Sequence, residues 1–308
     1  MDNQSKICLK VSRLGKHYRD QQVLRNISFS LRAGECLGII GPNGAGKTTL
    51  FNIITGWVPP SRGEVAFLGE KTTAWPPDRL CRAGMARTFQ MPQVFPEMSV
   101  LENVMTGAWF GQESRPAASQ ARDQSRELLD LVGLAAEAAT PARKLTLMQQ
   151  RLLELARALA TRPKLLLLDE IAAGLSLKAV KCLTNLIRRL RAQGLTLLLT
   201  DHLLNLIVPV CDRLLALDQG EIIAAGPPQE LIQQQSPRYP RRVGRRRSKA
   251  SRGEGPSSSR RTAWPRRDPP GNIRSRVKRS ATGCMLLSES VCACRMRFLA
   301  VSSASRNV

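Results

Sequence analysis

Acidic residues are scarce in this 308-residue chain, where 24 Asp and Glu stand against 47 Lys and Arg for a formal net charge of +23. Alone, that balance would suggest a polyanion or a membrane surface as partner. Its distribution argues otherwise, because residues 236–308 hold 19 of the basic side chains and only 3 of the acidic ones. The chain also lacks any CxxC spacing: Cys8, Cys36, Cys81, Cys182 and Cys211 are scattered, and Cys292 and Cys294 form a lone CxC. Neither a zinc site nor a secreted disulfide framework is indicated, and a reducing cytosol fits best. A bilayer span needs about 20 apolar residues in a row. The best candidate, Leu195 to Val210, is interrupted by Asp201, His202 and Asn205. No basic segment followed by an apolar stretch opens the chain, so no secretory signal is expected.

What is present alternates. Ile7 to Val11 and Val23 to Leu31 read as strands of an antiparallel flank. The buried strand Glu35 to Ile40 runs into a glycine-rich stretch and then helical spacing over Leu50 to Thr55. Residues Val100 to Gly133, broken at Gly111 to Pro116, and Gln149 to Ala160 predict a helical subdomain, placed at about 91–160. Apolar runs at Lys164 to Leu168, Leu195 to Thr200, Leu214 to Asp218 and Glu221 to Ala225, with helical spacing over Ala179 to Ala192, predict a parallel sheet covered on both faces. From Ser236 the composition turns to Arg, Ser, Pro and Gly without periodicity, which predicts a disordered basic tail over 236–308 and a folded domain over 1–235.

The glycine-rich stretch Gly41, Pro42, Asn43, Gly44, Ala45, Gly46, Lys47, Thr48, Thr49 satisfies the phosphate-binding pattern G-x-x-x-x-G-K-[ST] between a strand and a helix. Its glycines let backbone N–H groups converge on phosphate oxygens, and the helix that follows points its positive end at them. Lys47 adds a point charge, and the Thr48 hydroxyl suits Mg²⁺. A nucleotide site also needs carboxylates at the end of a neighbouring strand, and Leu165 to Leu168 is followed by Asp169 and Glu170. Asp169 is expected to hold Mg²⁺, usually through water, and Glu170 to polarise the attacking water as general base. An Asp-Glu pair after a strand can also be a charge pair at a helix N-terminus.

With these motifs in this order, Met1 to about Glu230 resembles the ATPase subunits of ABC transporters. The resemblance implies an α/β P-loop NTPase core with an antiparallel β flank and an inserted helical subdomain, binding ATP and Mg²⁺. It assigns Gln90, in Arg-Thr-Phe-Gln, to sensing metal and γ-phosphate, His202 to contacting the γ-phosphate, and Tyr18 to stacking on adenine. The family's signature segment falls on Leu145 to Gln149, so Thr146, Leu147, Met148 and Gln149 would contact ATP held by the opposite subunit. Leu147 and Met148 replace two glycines there, and Met148 is expected to crowd the trans contact. Thr146 and Gln149 read equally as a helix capping box. Ser176 stands where most relatives have an aspartate.

Gly84 to Gln90, Phe95 to Val104, Leu152 to Thr161 and Asp169 to Leu175 look like subunits of branched-chain amino-acid importers. Urea or amide importers and lipopolysaccharide exporters are the nearest alternatives. The resemblance implies a second ATP-binding subunit, identical or not, two membrane-spanning permeases and an external solute-binding protein, with the chain on the cytoplasmic membrane face. A rival of another class is a soluble ABC-like ATPase acting on nucleic acid through Arg241 to Lys249. Against it, the chain holds one cassette and the tail interleaves few aromatics, such as Tyr239 and Trp264, for base stacking. A change of reading frame near Ser236 would also produce such a tail.

Overall fold

The computed structural model of the protein describes residues 6–233, so the tail expected from Ser236 onward lies outside the described residues. Strands β1 (Ile7–Tyr18) and β2 (Gln21–Arg32) form a long antiparallel hairpin, extending well past the runs visible in the sequence. Register irregularities, with Arg13 and Asn26 at positive φ, let the strands bend while Leu9, Val11, Leu14, Leu24, Ile27 and Leu31 stay buried. β3 (Cys36–Ile40) leads into the glycine-rich loop and α1 (Lys47–Ile54). Helix α1 starts three residues earlier than the apolar spacing indicates, because its first turn belongs to the loop. β4 (Arg62–Phe67) and β5 (Glu70–Lys71) complete a four-stranded antiparallel sheet in the order β2-β1-β4-β5. This is the expected antiparallel flank.

After α2 (Pro77–Arg82) and the short β6 (Met85–Arg87), the chain enters a helical unit. Helix α3 (Val100–Phe110) opens with a capping box of Ser99 and Glu102, and α4 (Ala118–Val132) closes on Gly133 at φ 76°. Helix α5 (Leu147–Ala160) returns to the core. Then follow β7 (Leu165–Asp169), α6 (Leu177–Ala192), β8 (Thr196–Thr200), α7 (Leu204–Val210), β9 (Arg213–Asp218), β10 (Glu221–Gly226) and α8 (Pro228–Gln233).

The second sheet has the order β10-β9-β3-β8-β7-β6. It is parallel as expected except at its edge, where β9 and β10 are joined by Gln219 and Gly220, at φ 46° and 80°. Two consecutive positive φ values are what a two-residue hairpin requires, so this pair runs antiparallel. The sheet separates two hydrophobic layers. Leu165, Leu167, Leu198, Leu215 and Leu217 pack with α1 and the antiparallel flank, whereas Leu166, Leu168, Leu197, Leu199 and Leu214 pack with the helices of the other side. A strand buried on both faces must be apolar at every position, which accounts for the unbroken Leu165 to Leu168 run. The strand ends thereby bring Ile40, Asp169 and Thr200 to one edge of the sheet, since β3 and β7 both pair with β8. Among the described residues no helix is long and apolar enough to cross a membrane.

Candidate functional site

The loop between β3 and α1 is shaped for a ligand that approaches its backbone. Gly46 stands at the N-cap of α1 with φ 104° and no side chain to cap the helix. The first-turn N–H groups have no intrahelical acceptors, so they remain available to an anion. A Cβ at Gly46 would lie 2.6 Å from Leu24 Cδ2, and one at Gly41 would lie 2.2 Å from the Leu217 carbonyl oxygen. The β2 hairpin and β9 thus press on the loop from outside, and only glycine fits. Lys47 is buried and donates from Nζ to the carbonyl oxygens of Gly41 (2.9 Å) and Pro42 (3.1 Å), holding the loop curled. Burial pushes its ammonium below the ordinary lysine value, while the charges of Glu170, Asp169 and Asp201 work in the opposite direction. Thr48 is exposed at the start of α1 and Thr49 half-buried behind it.

Glu170 is the centre of the second half of the site. Its Oε1 lies 2.8 Å from His202 Nε2, and its Oε2 accepts from Gln90 Nε2 at 2.7 Å. A carboxylate only accepts, so His202 presents its Nε2 hydrogen to it. Three residues separated by 80 and 32 positions in sequence are therefore brought to one carboxyl group. Glu170 has φ 47°, in the left-handed region that side-chain-bearing residues rarely occupy. The turn is held by its own N–H donating to the Thr200 carbonyl (2.9 Å), and by Arg151, which donates to the carbonyls of Glu170 (3.0 Å), Ile171 (2.7 Å) and Ala173 (2.8 Å). Asp201 closes the other side: its carboxylate accepts from the N–H groups of Ala172, His202 and Leu203. Burial raises the Asp201 pKa, and those three hydrogen bonds lower it in part.

Asp169, expected to hold Mg²⁺ through water, has both carboxylate oxygens engaged within the protein. Its Oδ2 pairs with Arg87 at 2.7 Å and its Oδ1 accepts from the Thr200 hydroxyl at 2.8 Å, with both ionic side chains almost wholly buried. Arg87 also donates to Asn52 Oδ1 (2.6 Å) and Thr55 Oγ1 (3.3 Å), which ties β6 and α1 to the end of β7. Among the described residues no group of three His, Cys, Asp or Glu side chains could hold a metal ion. One hydroxyl and one amide, at Thr48 and Gln90, would suit a hard cation that arrives on phosphate oxygens, as Mg²⁺ does, with Asp169, whose own oxygens are held by Arg87 and Thr200, reaching it through water. Arg87, Arg151, Thr200 and Asp201 were not singled out from the sequence. Asp201 carried a signal, as a second charged residue at the end of an apolar strand, but nothing local marks Arg87 or Arg151.

The segment expected to act in trans is a helix start. Thr146 caps α5, accepting from the Gln149 N–H, while Gln149 Oε1 accepts from the Thr146 N–H (3.0 Å) and hydroxyl (2.8 Å). Of the two residues standing for glycine, Met148 packs against the hydrophobic layer and Leu147 projects, 44% exposed. Adjacent helical positions face about 100° apart, so Leu147 is the more exposed of the two. Ser176 caps α6 through the Ala179 N–H. Tyr18 is exposed at the end of β1, paired with Gln21 in the same hairpin whose Val23 and Leu24 abut Gly46.

Residues 24–173 match the family described as ABC transporter. The chain is 37% identical over 236 residues to the high-affinity branched-chain amino acid transport ATP-binding protein LivG of Salmonella typhimurium, covering 72% of this chain and 92% of that one. It is also 37% identical over 225 residues to the lipopolysaccharide export system ATP-binding protein LptB of Acidithiobacillus ferridurans, covering 73% and 92%. Among solved structures, the ADP conformation of MJ1267, an ATP-binding cassette of an ABC transporter, superposes with a TM-score of 0.67 at 32% identity over 74% of this chain and 94% of that one.

Proposed function

The chain belongs to the ABC transporter family as an ATPase coupled to transport, and from that premise we propose that it energises a branched-chain amino-acid importer from the cytoplasmic face of the membrane. The observation that carries the catalytic part is the convergence of Gln90 and His202 on the two oxygens of Glu170, one residue beyond Asp169. Bound MgATP supplies a terminal phosphoryl group whose charge the metal neutralises. The loop from Gly41 to Thr49 would hold the phosphates through backbone N–H groups and Lys47, and Thr48 and Asp169 would hold the metal, Asp169 through water. Glu170 orients a water and takes its proton, and His202 and Gln90 fix the carboxylate and face the γ-phosphate. Tyr18, exposed at the end of β1, would stack on the adenine.

Thr146, Leu147, Met148 and Gln149 would complete the site of a second ATP-binding subunit, so the working unit is a pair of such subunits on two permeases, served by a solute-binding protein. Similarity to LivG supports the solute. The equal identity to LptB supports a second reading, export of a lipopolysaccharide. Co-purification of the full chain with its membrane subunits, reconstitution in vesicles and measurement of ATP-dependent leucine uptake separates them. Leucine accumulation is expected. ATP turnover that ignores leucine and responds to lipopolysaccharide would replace the importer reading with the exporter one.

A further inference from the structure

Helix α5 begins at the capping box of Thr146 and Gln149, the segment proposed to act in trans, and two turns on carries a buried carboxylate that no step of the proposed reaction uses. Glu154 is 3% exposed. Its Oε2 accepts from the Phe89 N–H at 3.2 Å and its Oε1 from the Gln93 N–H at 3.0 Å. The two donors bracket Gln90, so a single carboxylate spans the loop that delivers Gln90 to Glu170. Arg157, one turn further, donates to the Gln93 carbonyl. Arg151, one turn earlier, grips the backbone of Glu170, Ile171 and Ala173. Positions 151 and 154 share a helix face, and that face holds both partners of the Gln90 to Glu170 hydrogen bond.

We propose that Glu154 is a positioning residue for Gln90: it fixes the loop over residues 89–93 to α5, so that the helix carrying the trans segment also sets the distance between Gln90 and Glu170. The proposal deepens the catalytic reading and rests on it. A hydrogen bond from Gln90 places its amide within 2.7 Å of Glu170, and Gln90 itself is exposed. Phe89 packs edge-on against Trp57 and the Thr88 N–H donates to the Leu167 carbonyl at the start of the loop, and the two N–H groups on Glu154 tie down the backbone on both sides of Gln90. Charge contributes as well, since a carboxylate accepting two backbone N–H groups binds them more strongly than a neutral acceptor does. The cationic groups that act on Glu154 are Arg151 and Arg157 of its own helix, and from β6 Arg87 feels its charge in turn.

The test uses the full chain and the variants Glu154→Gln, Glu154→Asp, Gln90→Ala and the Glu154→Gln/Gln90→Ala double. Glu154→Gln keeps the size but turns an NH₂ group toward one of the two N–H donors. Hydrogen exchange followed by mass spectrometry should show faster exchange over residues 87–95 with the rest of the fold unchanged. Steady-state turnover of MgATP should fall on the order of ten- to a hundredfold in kcat, as expected for a misplaced reacting group, with KM near that of the parent. Glu154→Asp, which can reach one N–H only, should fall between. The double variant should be no slower than Gln90→Ala, because Glu154 acts through Gln90. Parent-like exchange over 87–95 in Glu154→Gln, or a double variant slower by the product of the two single losses, would overturn the proposal. Parent-like turnover of Gln90→Ala would instead overturn the catalytic reading of Gln90, whatever the exchange shows.

Discussion

Replacing Arg87 by Leu should destabilise the fold far more than a surface charge change, and the structure sets the scale. Arg87 and Asp169 are exposed by only 6% and 3% of their side chains. Removing the guanidinium strands a buried carboxylate that keeps one neutral donor, the Thr200 hydroxyl. Breaking a buried pair from one side costs about 3–5 kcal/mol. At about 2–4 °C per kcal/mol for a domain of this size, the melting temperature should drop by about 10 °C. The pair is not itself a large net stabiliser, because burial opposes the Arg87 charge and its Nε is buried without a partner. Neutralising the stranded group should therefore restore stability: Arg87→Leu/Asp169→Asn is expected to melt above Arg87→Leu alone. Thermal unfolding of the three proteins followed by circular dichroism decides it. A single variant within about 2 °C of the parent, or a double variant less stable than the single, would refute the account of a stranded charge.

Glu170→Gln should retain ATP binding, measured by fluorescence titration, while turnover falls on the order of 10²- to 10⁴-fold, the range for loss of a general base. Gly46→Ala should abolish nucleotide binding, since the added Cβ meets Leu24 at 2.6 Å in a backbone conformation of φ 104°; unchanged ATP affinity would contradict the loop geometry. In the assembled dimer, Leu147→Gly should accelerate hydrolysis at the site it faces more than Met148→Gly does, and Met148→Gly should instead lower the melting temperature. Asp201 has a folded pKa raised by burial above the ordinary 3.8. The folded state therefore holds that proton more tightly than the unfolded chain, and its contribution to stability is present below pH 3.8 and lost as pH rises through the folded value. Asp201→Asn should flatten that part of the stability profile in urea titrations run between pH 4 and 7.

Much of the site was legible because phosphate binding imposes a contiguous pattern. Gly41 to Thr49 must be one loop, since successive backbone N–H groups and one lysine have to meet one polyanion. Asp169 and Glu170 were visible for a related reason: an apolar strand buried on both faces ends abruptly where it reaches the ligand edge. The same logic did not find Arg87 or Arg151. Each acts on backbone or carboxylate groups far away in sequence, and neither interrupts a periodic pattern. The edge pair β9 and β10 likewise turned on two positive φ values at Gln219 and Gly220, which alternation alone does not reveal.

By itself, then, the amino-acid order determined the nucleotide loop, the acidic strand end and the alternation of strands and helices, because each is written in neighbouring residues. Tertiary structure decided what those groups do to one another. It placed Gln90 and His202 on the same carboxylate, closed Asp169 with Arg87, turned Leu147 outward and Met148 inward, and hung the Gln90 loop on Glu154. Those outcomes depend on which strand ends meet at one edge of the sheet and which face of α5 turns toward it, and long-range pairing rather than local propensity fixes both.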